Sequence, residues 1–119
     1  MGRTYDEFEI GQRFETPRRP VTEADINAFA GLTGDFNPVH MDALFAAQSG
    51  FGGRITHGPM IVGMAFGLGS RADLMDGTVL ALLEIGWKYS TAPQWRQPRF
   101  NRAARFPASE RARSAWATR

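Results

Sequence analysis

"GDFNPVHMDALFAAQSGFGGRITHGP", residues 34–59, holds both histidines of the 119-residue chain, His40 and His57, and two of its aspartates, Asp35 and Asp42, among turn formers and small apolar residues. Asp35 and His40 stand five apart across a loop carrying Asn-Pro, so no helical face fixes their relation and the two can converge on one pocket. A carboxylate and an imidazole holding the same water make an acid/base pair, because histidine titrates at about 6.5 and takes or gives a proton at neutral pH.

The second element of chemistry is "THGPM", residues 56–60. A glycine just before a helix, followed by proline, leaves the N–H groups of Gly58 and Met60 pointing outward at the positive end of the helix dipole, while Pro59 has none to offer. Such donors suit a carbonyl oxygen that becomes an enolate, and one oxyanion donor is worth roughly 3–4 kcal/mol. His57 is expected chiefly to orient this loop by hydrogen bonds, with a direct substrate contact as the other reading.

Outward from this stretch, Thr22 followed by Asp25 resembles a capping arrangement and predicts a short helix over about 23–31, stopped by "GLTG". Asp42 is read as the cap of a second short helix, "ALFAAQ", closed by "SGFGG", and so stays outside the site. In "HGPMIVGMAFGLGS" the repeat of Ile61, Met64, Ala65 and Leu68 at i, i+3, i+4 and i+7 predicts the buried central helix. Its apolar stripe reads as core, and Gly63 and Gly67 are tolerable there if another backbone comes close. "TVLALLEIGWKYS" alternates, with Val79, Ala81, Leu83, Ile85, Trp87 and Tyr89 on one face, and predicts a long strand. "RFETPRRPVT" reads as an extended edge segment because its prolines argue against a central strand.

Composition narrows the chemistry. With no cysteine, disulfides, thiolate nucleophiles and structural zinc are not expected. The pI of about 9.7 is a property of the tail: residues 1–92 hold 7 basic and 11 acidic residues, net −4, whereas residues 93–119 hold 7 arginines and one glutamate, net +6. A mildly acidic body without interleaved basic and aromatic residues is not a nucleic-acid groove. No apolar run approaches the roughly 20 residues of a membrane span and the amino terminus lacks the order of a secretory signal, so no membrane association is expected and the compartment is expected to be cytoplasmic. Asp35, His40, Asp42 and His57 match no zinc spacing, and no metal is expected.

"TGDFNPVHMDALFAAQSGFGGRITHGPMIVGMAFGL", with "YDEFEIGQRF", "VTEADI" and "GWKYSTAP", resembles the MaoC-like dehydratases, the (R)-specific enoyl-CoA hydratases, over roughly residues 5–92. The resemblance implies an α+β hotdog fold, an antiparallel sheet wrapped around one long helix. It implies addition of water to the double bond of an enoyl thioester, with Asp35 and His40 as the catalytic pair and Gly58 at the amide that binds the thioester oxygen. Met60, for its free N–H, and His57, on the second of its two readings, are the other substrate-binding candidates. It also implies an acyl-CoA as substrate, no cofactor beyond the coenzyme A the substrate carries, and a homodimer whose sites border the subunit interface. A hotdog thioesterase attacking the thioester carbon is the alternative enzyme, and a truncated, inactive association module the alternative without catalysis.

Beyond residue 92 the family pattern of further strands gives way to Arg, Ala, Pro and Trp. The domain is accordingly read as residues 1–92 and partial, with 93–119 a basic tail expected to be non-native or disordered. A shifted reading frame in a GC-rich gene would produce this switch.

Overall fold

The computed structural model describes residues 1–89. The expectations for residues 93–119, and the end of the alternating segment, lie outside the described residues.

A single 3-10 turn at Tyr5–Glu7 is closed by Thr4, whose backbone N–H donates to the Glu7 carboxylate at 2.7 Å. The first helix, α1, spans Glu23–Thr33. Thr22 and Asp25 form a full capping box: the Asp25 N–H donates to Thr22 Oγ1 at 3.2 Å, and the Thr22 N–H donates to Asp25 Oδ2 at 2.9 Å. Gly34 ends the helix in the left-handed region at φ 78°, where a side chain would be strained, and its N–H returns to the Ala30 carbonyl at 2.8 Å.

The next stretch departs from the expected loop, because Pro38–Met41 forms a one-turn helix, α2. Asn37 accepts from the Val39 N–H through its side chain, and Pro38 supplies a φ already suited to a first helical turn. Then α3, Ala43–Gln48, starts as expected at Asp42, whose Oδ1 accepts from the N–H groups of Leu44 and Phe45. The long helix α4 spans Gly58–Arg71 with Pro59 in its first turn.

α1 and α4 make the core by packing Ile26 against Val21, Met60 and Ile61, with Phe29, Met41 and Met64 at its margin. Each such side chain taken fully from water contributes about 2 kcal/mol. Of the expected stripe on α4, Ile61 and Leu68 are buried and Met64 and Ala65 half-buried, whereas Gly63 and Gly67 are exposed. At the other end of the domain the amino terminus pairs back on the chain after α4, with Gly2 N–H to Asp76 C=O at 2.6 Å and Arg3 N–H to Leu74 C=O at 3.1 Å. A Cβ at Gly2 would lie 2.4 Å from the Asp76 nitrogen, so only glycine allows that approach.

The expected long strand forms no ladder among the described residues, and neither does the segment over residues 13–22. Val79, Leu80, Leu82, Leu83 and Ile85 are exposed. A period of two assigns side chains to two faces, yet a strand exists only through hydrogen bonds to its neighbour, which no local pattern supplies.

Candidate active site

The loop between α1 and α2 presents Asp35, and α2 presents His40. Asp35 Oδ1 accepts from the Asn37 N–H at 3.2 Å, bracing the Asn-Pro turn. Its other oxygen, Oδ2, faces His40 Nε2 at 3.9 Å. One carboxylate oxygen thus braces the turn while the other faces the imidazole. Asp35 is half exposed at its side chain, whereas His40 is nearly enclosed.

His40 Nδ1 lies 2.9 Å from the Ile55 carbonyl oxygen. A carbonyl can only accept, so Nδ1 carries the proton, and in the neutral ring Nε2 keeps its lone pair toward Asp35. The backbone bond therefore sets both the direction of the ring and its tautomer.

His57 is fully buried between Phe29, at 5.0 Å between ring centroids, and His40, on which it stacks at 3.9 Å. Its Nε2 lies 2.9 Å from the Asp35 backbone carbonyl and by the same logic donates to it. Its Nδ1 is buried without a hydrogen-bond partner among the described residues. His57 thus touches Asp35 at its backbone and His40 at its ring.

Gly58 and Met60 stand in the first turn of α4, where no preceding turn supplies carbonyls for their N–H groups. The cap residue, His57, offers no side-chain bond to them. Met60 sends its side chain into the core at 5% exposure, so only its backbone can face a ligand. The structure brings Asp35, His40 and His57 together and sets Gly58 directly after His57.

Asp35, His40 and His57 each offer a ligand atom within 4.8 Å of the others, a spacing short enough for a metal. The two imidazoles are stacked with 29° between their planes, however. Ring lone pairs lie in the ring plane, so an ion seated in one plane stands off the other. The 3.9 Å between Asp35 Oδ2 and His40 Nε2 instead suits one water held by both, each at about 2.8 Å.

Two residues passed over in the sequence complete the surroundings. Tyr89 donates its hydroxyl to the Gly58 carbonyl, and a Cβ at position 58 would come 3.1 Å from that hydroxyl oxygen. Burial pushes the Tyr89 phenol pKa up. Arg54 donates from Nε to the His40 carbonyl at 2.5 Å and reaches Glu23 and Asn27 on α1. Arg54 is the one charged residue in the glycine-rich run "SGFGGRIT", but nothing local points to its distant acceptors.

Residues 7–83 match the family described as "MaoC like domain", and the chain belongs to that family. It is 40% identical over 61 residues to an (R)-specific enoyl-CoA hydratase of Aeromonas caviae, covering 51% of this chain and 45% of that one. A solved structure of an (R)-hydratase from A. caviae superposes with a TM-score of 0.50 at 34% identity, covering 59% of this chain and 53% of that chain. The chain is also 37% identical over 60 residues to a 3-hydroxybutyryl-CoA dehydratase of Methylorubrum extorquens, covering 50% of this chain and 38% of that one. A monoamine oxidase regulatory protein from Archaeoglobus has a TM-score of 0.68 at 30% identity over 78% of this chain and 63% of that one. The chain spans less than half the length of the curated relatives it matches. The structural neighbours, among them a MaoC-like dehydratase of Rhodospirillum rubrum, are consistent with a hotdog fold. None of the helices of residues 1–89 is long and apolar enough to cross a membrane.

Proposed function

We propose that this chain adds water to the double bond of a trans-2-enoyl thioester and gives the (R)-3-hydroxyacyl product, with Asp35 and His40 as the acid/base pair. The observation that carries the reading is the 3.9 Å approach of Asp35 Oδ2 to His40 Nε2, with His40 Nδ1 anchored on Ile55. A water donating one hydrogen to the carboxylate and the other to Nε2 turns an oxygen lone pair outward, toward the β-carbon. As the carbon–oxygen bond forms, Nε2 takes the water proton and the alkene electrons move onto the thioester oxygen. The Gly58 N–H, with the Met60 N–H beside it, steadies that enolate oxygen. The pair then returns a proton to the α-carbon.

The substrate class comes from the relatives, whose names give an enoyl-CoA hydratase and a 3-hydroxybutyryl-CoA dehydratase. The reading uses no cofactor beyond the coenzyme A of the substrate, and it takes the protein as a cytoplasmic homodimer. Crotonyl-CoA is the direct test. Loss of the enoyl thioester absorbance with formation of (R)-3-hydroxybutyryl-CoA supports the proposal. Release of free coenzyme A without hydration would assign the site to thioester hydrolysis instead.

A further inference from the structure

Arg54 has a nearly enclosed side chain, 11% exposed, and three acceptors drawn from two distant parts of the chain. Nε donates to the His40 carbonyl at 2.5 Å, Nη1 to Glu23 Oε1 at 3.3 Å and Nη2 to Asn27 Oδ1 at 3.2 Å. The neighbouring Ile55 adds two more bonds to the same place: its N–H donates to the Val39 carbonyl at 3.3 Å and its carbonyl accepts from His40 Nδ1 at 2.9 Å. Residues 54 and 55 therefore grip residues 39 and 40 at three points, and the Arg54 side chain carries that grip across to α1.

We propose that Arg54 is a positioning residue, a clamp that fixes α2 against α1 so that His40 Nε2 already faces Asp35 before substrate arrives. The inference rests on the hydratase reading for its kinetic consequence but not for its structural one. α2 is a single turn and cannot hold its own orientation by propensity. The planar guanidinium addresses all three acceptors in one fixed geometry, which a lysine ammonium at the end of a flexible stem does not reproduce. Acting on the direction of His40 rather than on substrate, the clamp affects the chemical step and leaves binding alone.

The test uses the full chain and the variants Arg54→Lys and Arg54→Met, with circular dichroism confirming the fold. Two quantities are read: kcat and KM for crotonyl-CoA, and the imidazole 15N resonances, which come from only two histidines and are assigned through His57→Asn. The expected result is a kcat lower by roughly tenfold or more with KM within about twofold, and a His40 signal that loses its single Nδ1–H tautomer. A folded Arg54→Lys with wild-type kcat and unchanged His40 signals overturns the clamp, as does a change confined to KM. Should both variants fail to fold, Glu23→Ala with Asn27→Ala severs the clamp at α1 and is judged by the same two readouts. A wild-type chain that hydrates nothing, with His40 signals that still respond to Arg54→Lys, sinks the hydratase reading and keeps the clamp. An active wild type with an indifferent Arg54→Lys does the reverse.

Discussion

The Nε2–H of His57 donates to the backbone carbonyl of Asp35 at 2.9 Å, across 22 residues of chain. The second histidine thereby holds the aspartate by its main chain and leaves both carboxylate oxygens free for other partners. Its ring also supports His40 from one face at 3.9 Å. Replacing His57 with alanine empties a fully buried position and orphans the Asp35 carbonyl, so urea denaturation should show a loss of about 3 kcal/mol. A loss under about 1 kcal/mol would mean that this contact does not hold the loop.

Asp35→Asn separates the two oxygens of the carboxylate. An asparagine side-chain oxygen can still accept from the Asn37 N–H, so the turn and the melting temperature should be kept. The position facing His40 becomes an uncharged amide NH2 that can donate but not accept, and hydration of crotonyl-CoA should fall by about a hundredfold or more. Wild-type turnover in a folded Asp35→Asn would remove the carboxylate from the mechanism.

Gly58 and Tyr89 should show energetic coupling. An alanine Cβ at position 58 would meet the Tyr89 hydroxyl oxygen at 3.1 Å and the carbon bearing it at 3.3 Å, tight contacts that the half-exposed tyrosine relieves by moving away. Tyr89→Phe alone should cost about 1 kcal/mol through the lost bond to the Gly58 carbonyl. In Gly58→Ala that bond is already disturbed, so the double variant should cost less than the sum of the two. Strict additivity in a double-mutant cycle would show that the contact carries no energy.

Asp25 sets an acid limb to stability. Burial pushes its carboxyl pKa up, but the Thr22 N–H and hydroxyl, with the Arg19 guanidinium, outweigh that and bring the net value below the usual 3.8. A folded value below the unfolded one means that the unfolded state binds the proton first. This contribution is therefore complete above the unfolded value of about 4 and is lost as pH falls through the lowered folded value. Denaturation free energies measured from pH 5 downward should fall less steeply in Asp25→Asn than in wild type. Identical slopes would show that the capping box does not titrate with folding.

Asp42→Ala removes two capping bonds from α3, to the N–H groups of Leu44 and Phe45. The expected cost is about 1 kcal/mol in urea. The Asp35 and His40 side chains should keep their relation, because Asp42 contributes to neither. A changed His40 15N signal in this variant would place Asp42 within the site after all.

How much of this was legible can be followed residue by residue. The starts of α1, α3 and α4 were readable because Thr22 with Asp25, Asp42 and Pro59 each act within a few residues of themselves. The convergence of Asp35 and His40 came from the same source, a turn that Asn37 and Pro38 close locally. Even so, Pro38–Met41 winds into a helix where a loop was expected, since a four-residue turn leaves no periodic signal. Arg54 was passed over because its acceptors lie 14, 27 and 31 residues away, and no spacing rule reaches that far.

By itself, then, the sequence determined where α1, α3 and α4 begin, that Asp35 and His40 flank one local turn and that the first backbone amides of α4 have no helical acceptor, because all of these are settled by short-range geometry and hydrogen bonding. Only the tertiary structure decided that His57 stacks on His40, that Arg54 ties the site to α1 and that Tyr89 lies over Gly58. Those contacts form when α1 and α4 pack, and the energy that selects them is the burial of Ile26, Met60 and Ile61, which a local pattern announces but does not aim.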